Sequence, residues 1–443
     1  MVQYRGDPAD RPNAHNLERL LLLTEEQPVE LDRQELEAAL NAHTDEAVGL
    51  LLDLIGFPST RGSEGPAMRY LADKMKAVVD TSELVPVSDD IQQDPDYSFP
   101  LEDFTYADQP NLRISKQGAG GGKSLIVNTH VDVVPASPGQ EKPFEGQVKD
   151  GVVYGRGACD CKGQVATFYL CLAALKEMGV TLKGDLTGHL VIEEECGGNG
   201  TLACVRGEDR ADAALVLEPS ELKILPSIRG AVWFVTTCYG RAGHSGQAGR
   251  TVSALKEAIR AIEILEGYHG RLLAESKSQG HPLYDPFDNP MPITFGMMEA
   301  GDWPAMAPNW ATFKGVLGFL PNRTKEAVMD ELRAVLKAEG GDWLPDNFEM
   351  DFLYRHDCNE VPADHPLVQT LEAACRENGR TPEIAGMPAS CDAWFYSNLI
   401  GVPTVVFGSG SLSVAHSAQE QIPIDQIVEG AGILARAIAS WCG

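Results

Sequence analysis

At 443 residues the chain is too long for one ordinary hydrophobic core, so two domains are expected, or three. A formal charge of −28 opposes binding to nucleic acid or an anionic membrane surface and reads best as a solubilising acidic surface. No apolar stretch approaches a membrane span, the N-terminal segment MVQYRGDPADRPNAHNLERL lacks an export signal's apolar core, and the ten cysteines follow no disulfide framework, so the expected compartment is a reducing cytoplasm.

Residues 31–55 place Leu36, Leu40, Val48, Leu51, Leu52 and Ile55 at helical spacing, interrupted near Asn41–Thr44. Residues 86–122, rich in Pro, Asp, Gln and Gly, predict an irregular excursion closing on GAGGGK, which lacks the full phosphate-loop pattern. Strands and helices then alternate: SLIVNTH, a strand; VATFYLCLAALKEM, a helix; HLVIEEE, a strand; TLACVRG, a helix start; AALVLEP, a strand. The alternation predicts an α/β fold with a mostly parallel sheet flanked by helices. From residue 227 the style changes. A strand over SIRGAVWFVTTCYG precedes the helix TVSALKEAIRAIEILE, with Leu255, Ile259 and Ile262 on one face, then ATFKGVLGFLP and amphipathic EAVMDELRAVLKAEG. Residues 227–352 read as a smaller inserted α+β domain between two parts of a catalytic domain, 1–226 and 353–443. The tail supplies a buried strand, IGVPTVVFG, and a last helix carrying Ile427, Ala431, Leu434, Ile438 and Trp441.

The chemistry gathers at strand ends. In SLIVNTHVDVVP an apolar run stops at His130 and Asp132, and residues two apart share one face of a strand. Asp160 lies in the Gly-rich turn GRGACDCKG, Glu194 and Glu195 end HLVIEEE, Glu218 ends AALVLEP, and His416 follows the last strand. Each has an ordinary reading alone: a polar pair, a helix cap, a solvated charge run, a structural histidine. Strands of a parallel sheet, however, end on one edge, where separated residues meet. Two histidines and three carboxylates suit a pair of borderline cations, most simply two zinc ions, with cobalt or manganese as substitutes. Two cations roughly 3.5–4 Å apart can clamp a hydrolytic transition state. The glutamate run leaves a spare carboxylate for proton transfer, provided that the backbone turns, as Gly197–Gly198 permits.

These segments, THVDVVP, GRGACDCKGQ, EEECGGNGT, LEPS, GRAGHSG and AHSAQE, resemble the two-zinc deacylases and exopeptidases that include acetylornithine deacetylase, succinyl-diaminopimelate desuccinylase, aminoacylase and glutamate carboxypeptidase. The resemblance spans most of the chain in the expected order. It implies that Asp160 bridges two zinc ions, one completed by His130 and Glu218, the other by Glu195 and His416. Glu194 would be general base and then acid, and Asp132 would orient His130. Residues 227–352 would form a lid pairing with that of a second subunit in a homodimer, and His244 would reach the partner's site to hold an oxyanion. The implied substrate is a small N-acyl amino acid or related acylated amine; a dipeptidase or carboxypeptidase is the alternative, and a catalytically silent metal-binding dimer a distant third.

Two departures concern the substrate. Where the family often carries an Asn and an Arg that grip a carboxylate, the aligned stretches WPAMAPNWA and LGFLPNR present Ala305 and Phe319. Asn309 and Arg323 stand nearby but need a shift of register. Trp303, Trp310 and Phe319 favour either a more apolar substrate or burial in the lid core. Asp392, in ASCDAWFY, matches a site-edge Asp of the deacetylase branch, with helix capping as its alternative role. Arg229 and Gly230 resemble the family's first lid strand.

Overall fold

The computed structural model describes residues 30–443 except Ser245, Gln247 and Ala248, so the N-terminal segment considered above as an export signal lies outside the described residues. Helix α1 (Arg33–Ile55) begins where the Asp32 carboxylate accepts the Gln34 and Glu35 N–H groups. It runs unbroken through Asn41–Thr44, because that polar stretch lies away from the core and His43 bonds Glu177 on a neighbouring helix. After α2 (Gly65–Met75) and β1 (Thr81–Val85), the supposed irregular excursion contains a strand, β2 (Asn111–Lys116), paired on both sides. Then follow β3 (Leu125–His130), β4 (Gln147–Lys149), β5 (Val152–Tyr154), α3 (Lys162–Glu177), β6 (Leu186–Val191), α4 (Asn199–Arg206), β7 (Ala213–Val216) and β8 (Ile224–Ile228).

The run 227–240 is two strands rather than one. Ser227 and Ile228 end β8, and β9 (Gly230–Tyr239) opens a second sheet beyond Arg229. The chain continues through β10 (Gly243–His244), α5 (Ala254–Gln279), β11 (Ile293–Ala300), β12 (Met306–Ala307), β13 (Trp310–Phe319), α6 (Lys325–Glu339) and β14 (Phe348–His356). The second sheet's antiparallel strand order is β11-β13-β9-β14, with β10 and β12 paired separately. Helix α5 buries Ala254, Ala258, Ala261 and Leu265, whereas Leu255 and Ile259 stay 38% and 47% exposed. In its first half small alanines let the helix approach the sheet while Leu255 and Ile259 face outward; further along Leu265, Tyr268 and Leu272 are buried.

The chain returns through β15 (Asn359–Glu360), α7 (Pro366–Glu377), β16 (Ile384–Met387), β17 (Thr404–Val406), β18 (Gln421–Pro423) and α8 (Ile424–Cys442). The large sheet has the order β1-β2-β6-β3-β7-β17-β8-β15, with β16 also on β8. Its middle, β6-β3-β7-β17, is parallel throughout, and antiparallel strands close its edges. This mixed α/β architecture agrees with the expected alternation. The apolar residues form two clusters: one draws on residues up to Ile228 and again from Val361, the other on Val232 to Cys358. No helix among the described residues is long and apolar enough to cross a membrane.

Candidate active site

The four parallel strands deliver their carboxyl ends to one edge, and the polar residues gather there. Buried Leu125, Ile126 and Val127 anchor β3, so its last residue, His130, is only 1% exposed. Its Nδ1 lies 3.0 Å from the Asp132 carbonyl oxygen and 3.3 Å from Asp132 Oδ1. A proton on Nδ1 would satisfy both and leave Nε2 with a free lone pair. That Nε2 is 3.1 Å from Asp160 Oδ1 and 3.9 Å from Glu218 Oε1. The second carboxylate oxygen of Asp160 faces His416 Nε2 at 3.3 Å, and His416 Nε2 also meets Glu195 Oε1 at 2.9 Å. One carboxylate thus stands between two imidazoles, with a glutamate beside each.

The glutamate turn forms as its sequence requires. Glu193 adopts φ +58°, and Gly197 and Gly198 adopt φ +105° and +70°. The reversal lets neighbouring Glu194 and Glu195 both donate backbone N–H groups to Asp132, one to each carboxylate oxygen, at 3.1 Å. Asp132 thereby joins the end of β3 to the turn after β6. Glu193 faces away, fully buried, against Arg61, Tyr106 and Asn199. The run EEE therefore divides into one structural and two site-facing carboxylates.

Several contributors were not singled out from the sequence. Glu420 Oε1 accepts the N–H groups of Gly157, Cys159 and Asp160 at 2.9–3.2 Å, and its other oxygen pairs with Arg156. Arg156 also donates to Ser137 Oγ, which donates to the His416 carbonyl, so one buried carboxylate steadies both loops. His356, the last residue of β14, places Nε2 3.0 Å from the Gly197 carbonyl and Nδ1 2.8 Å from the Tyr354 hydroxyl. Arg156 and Glu420 lie inside the quoted segments GRGACDCKGQ and AHSAQE, but their pairing joins stretches remote along the chain, and no motif marks His356.

Electrostatically the site is overloaded with buried negative charge. Burial, with Glu218 and Asp392 nearby, pushes the Glu194 carboxyl well above the usual range. Burial and neighbouring Asp160 lift Glu195 to about 7, and burial lifts Glu218 to about 8. Asp160 is different: burial opposes its charge, yet hydrogen bonds from His130 and His416 keep it below the ordinary carboxylate range. Bonds to Asp160 and Glu195 raise His416 to about 10. Two donor groups, His130–Asp160–Cys161–Glu218 and Asp160–Glu195–His416, each bring their atoms within 4.8 Å of one another and share Asp160. This set of imidazoles and crowded carboxylates fits a pair of divalent cations, which would relieve the repulsion.

The remaining candidates lie elsewhere or play other parts. His244 is exposed on β10, and its hydrogen bond among the described residues is from the Gly246 N–H to its own Nδ1, at 3.1 Å. Arg323 is not brought to the cluster: Glu275 and Glu331 hold its guanidinium at 2.7 and 3.2 Å. Asn309 is exposed, and its carbonyl accepts the Gly240 N–H. Phe319 is fully buried, its ring lying over Gly230, whereas Ala305 and Trp303 are exposed. Asp392 lies buried beneath the glutamate turn, bonded to Thr201 Oγ1 at 2.6 Å, and burial raises it to about 7.

Fold and site together define a metal-dependent hydrolase. The chain belongs to the family described as Peptidase family M20/M25/M40, whose pattern matches residues 126–440. It is 28% identical over 367 residues to N-formyl-4-amino-5-aminomethyl-2-methylpyrimidine deformylase of Bacillus subtilis, covering 76% of this chain and 84% of that one. It is also 28% identical over 335 residues to acetylornithine deacetylase of Myxococcus xanthus, covering 75% and 84% of the two chains. Among solved structures, the dipeptidase Dug1p of Saccharomyces cerevisiae superposes with a TM-score of 0.75 at 13% identity, over 92% of this chain and 98% of that one.

Proposed function

We propose that this hydrolase removes an acyl group from a small N-acyl amino acid or related acylated amine, using two zinc ions. The observation that carries this reading is the Asp160 carboxylate, set between His130 and His416 with buried Glu194 nearby. His130, Asp160 and Glu218 would hold one cation, and Asp160, Glu195 and His416 the other. Bound there, the cations would supply Lewis acidity and lower the pKa of a bound water. Glu194, the carboxyl that the ligand pairs leave free, takes the proton of the attacking water and returns it to the leaving amine. A carboxyl whose hold on a proton is strengthened by burial and like charge suits both taking the proton and passing it on. Asp132 fixes the His130 tautomer and the turn bearing Glu194. His244, from a partner lid, would stabilise the charge on the carbonyl oxygen.

The deacetylase and deformylase relatives favour an acylated amine over a dipeptide. Ala305 and Phe319, standing where a carboxylate grip is expected, favour a substrate amine whose carboxylate is not gripped in that way. A dipeptidase is the second reading, consistent with the fold of Dug1p. A hydrolysis screen on zinc-loaded protein, varying acyl group and amine separately, separates them: formyl or acetyl amines turned over faster than dipeptides support the first, and the reverse order overturns it. Glu194→Gln should lose at least about a thousandfold in kcat while still binding two zinc ions by metal analysis. Full retained activity would remove Glu194 from its role.

A further inference from the structure

We infer that the two cation positions are chemically unequal: the inner one takes a fourth ligand, the Cys161 sulfur, and the outer one keeps an open face. The inference rests on the two-cation reading above and adds a ligand to it. Cys161 is fully buried, next in sequence to Asp160, with Sγ 3.2 Å from Glu218 Oε2. Its sulfur belongs to the same compact set as donor atoms of His130, Asp160 and Glu218, all mutually within 4.8 Å. Donors around a tetrahedral zinc, bonded at about 2.0–2.3 Å, stand roughly 3.3–3.8 Å apart, so small adjustments bring these four onto one ion.

The outer set differs in number and access. It has three protein donors, and the His416 side chain is 51% exposed, against 1% for His130. Four ligands in a sealed position is the pattern of a holding site, and three with an open side that of a reacting site. Water and the acyl carbonyl would therefore enter beside His416. A sulfur donor also biases the inner position towards zinc, cadmium or cobalt over manganese or magnesium. As the cation enters, the thiol proton leaves to solvent and sulfur binds as thiolate. Cys161 is a ligand in this view; the competing role is a thiol that only donates a hydrogen bond to Glu218.

Loading the full chain with two equivalents of cobalt(II) distinguishes the two. The expected result is a thiolate-to-cobalt charge-transfer absorption in the near ultraviolet, equivalent to one sulfur per chain. Cys161→Ser should lose the band while still taking two cobalt ions. In the parent, the last ion should need about tenfold more chelator to remove than the first, narrowing towards parity in the variant. Two cobalt ions bound without the band, or a band that survives Cys161→Ser, overturns the inference and leaves the two-cation reading standing. Failure to bind cobalt or zinc stoichiometrically overturns that reading itself. The parent spectrum decides even if the variant does not fold.

Discussion

Glu64 is the residue most at odds with its surroundings. It is fully buried, neither carboxyl oxygen finds a hydrogen-bond partner among the described residues, and burial, with Asp132 and Glu193 nearby, raises it to about 9. The unfolded chain releases this proton near pH 4.3 while the folded chain holds it, so the unfolded state binds fewer protons between those values. Stability should therefore fall as pH rises from about 5 to 9, at up to about 1.4 kcal/mol per pH unit from this group. Glu64→Gln should flatten that slope and raise the melting temperature at pH 8, as measured by calorimetry on protein at fixed metal content. An unchanged slope would show that Glu64 is ionised in the folded chain. Sequence did not single out Glu64, because a carboxylate in RGSEGP reads as exposed loop. The candidate site residues stood out for the opposite reason: His130 ends an apolar strand, and Glu194, Glu195 and Glu218 closely follow one, a place where a polar side chain needs a purpose.

At the scale of elements, the glutamate turn and the end of β14 act as one piece. His356 is fully buried against Tyr354, Trp394 and Phe395, and burial lowers it to about 3, so a neutral ring offers Nε2–H to the Gly197 carbonyl. His356→Phe fills the space and removes that bond, leaving the Gly197 carbonyl unpaired. We expect kcat on the best acylated amine to fall about tenfold with KM within about twofold, and His356→Gln to recover part of the loss. A drop in thermal stability with normal kcat would make the histidine only a packing group. Elements were read unevenly from sequence. Long β-branched runs such as LIVNTH and AALVL stand out, whereas NLRISK was lost in a Gly- and Pro-rich context although β6 and β1 flank it. The break at Arg229 was invisible because both sides are equally strand-like. Helix α5 misled in the other direction: large apolar side chains advertise a face without saying what covers it.

Leu255 and Ile259 on α5 and Met297 and Met298 on β11 are all exposed. Exposed apolar side chains on these two elements would suit a second copy, which the proposed trans role of His244 requires. Mixing His244→Ala protein with Glu194→Gln protein tests this directly. In a mixed dimer the first chain supplies Glu194 and the second supplies His244, so one intact site returns. Denaturing and refolding equal amounts together should restore about a quarter of parental activity, since half of the random dimers are mixed. Strictly additive residual activity would place His244 outside any shared site. Fold class was readable at this scale, and the candidate residues could be grouped, because the motifs recur at successive strand ends. Pairing between copies depends on surfaces, and periodicity does not encode which surfaces stay bare.

The dependence of the Asp160 loop on Glu420 has a consequence for how the protein matures. Ribosomes release a polypeptide from its N-terminus, so His130, Asp160, Glu195 and Glu218 emerge long before His416 and the carboxylate that braces their loop. On the two-cation reading, a nascent chain stalled before residue 416 would lack part of the outer position and could not complete it. Filling of that position would then be a late event of biogenesis.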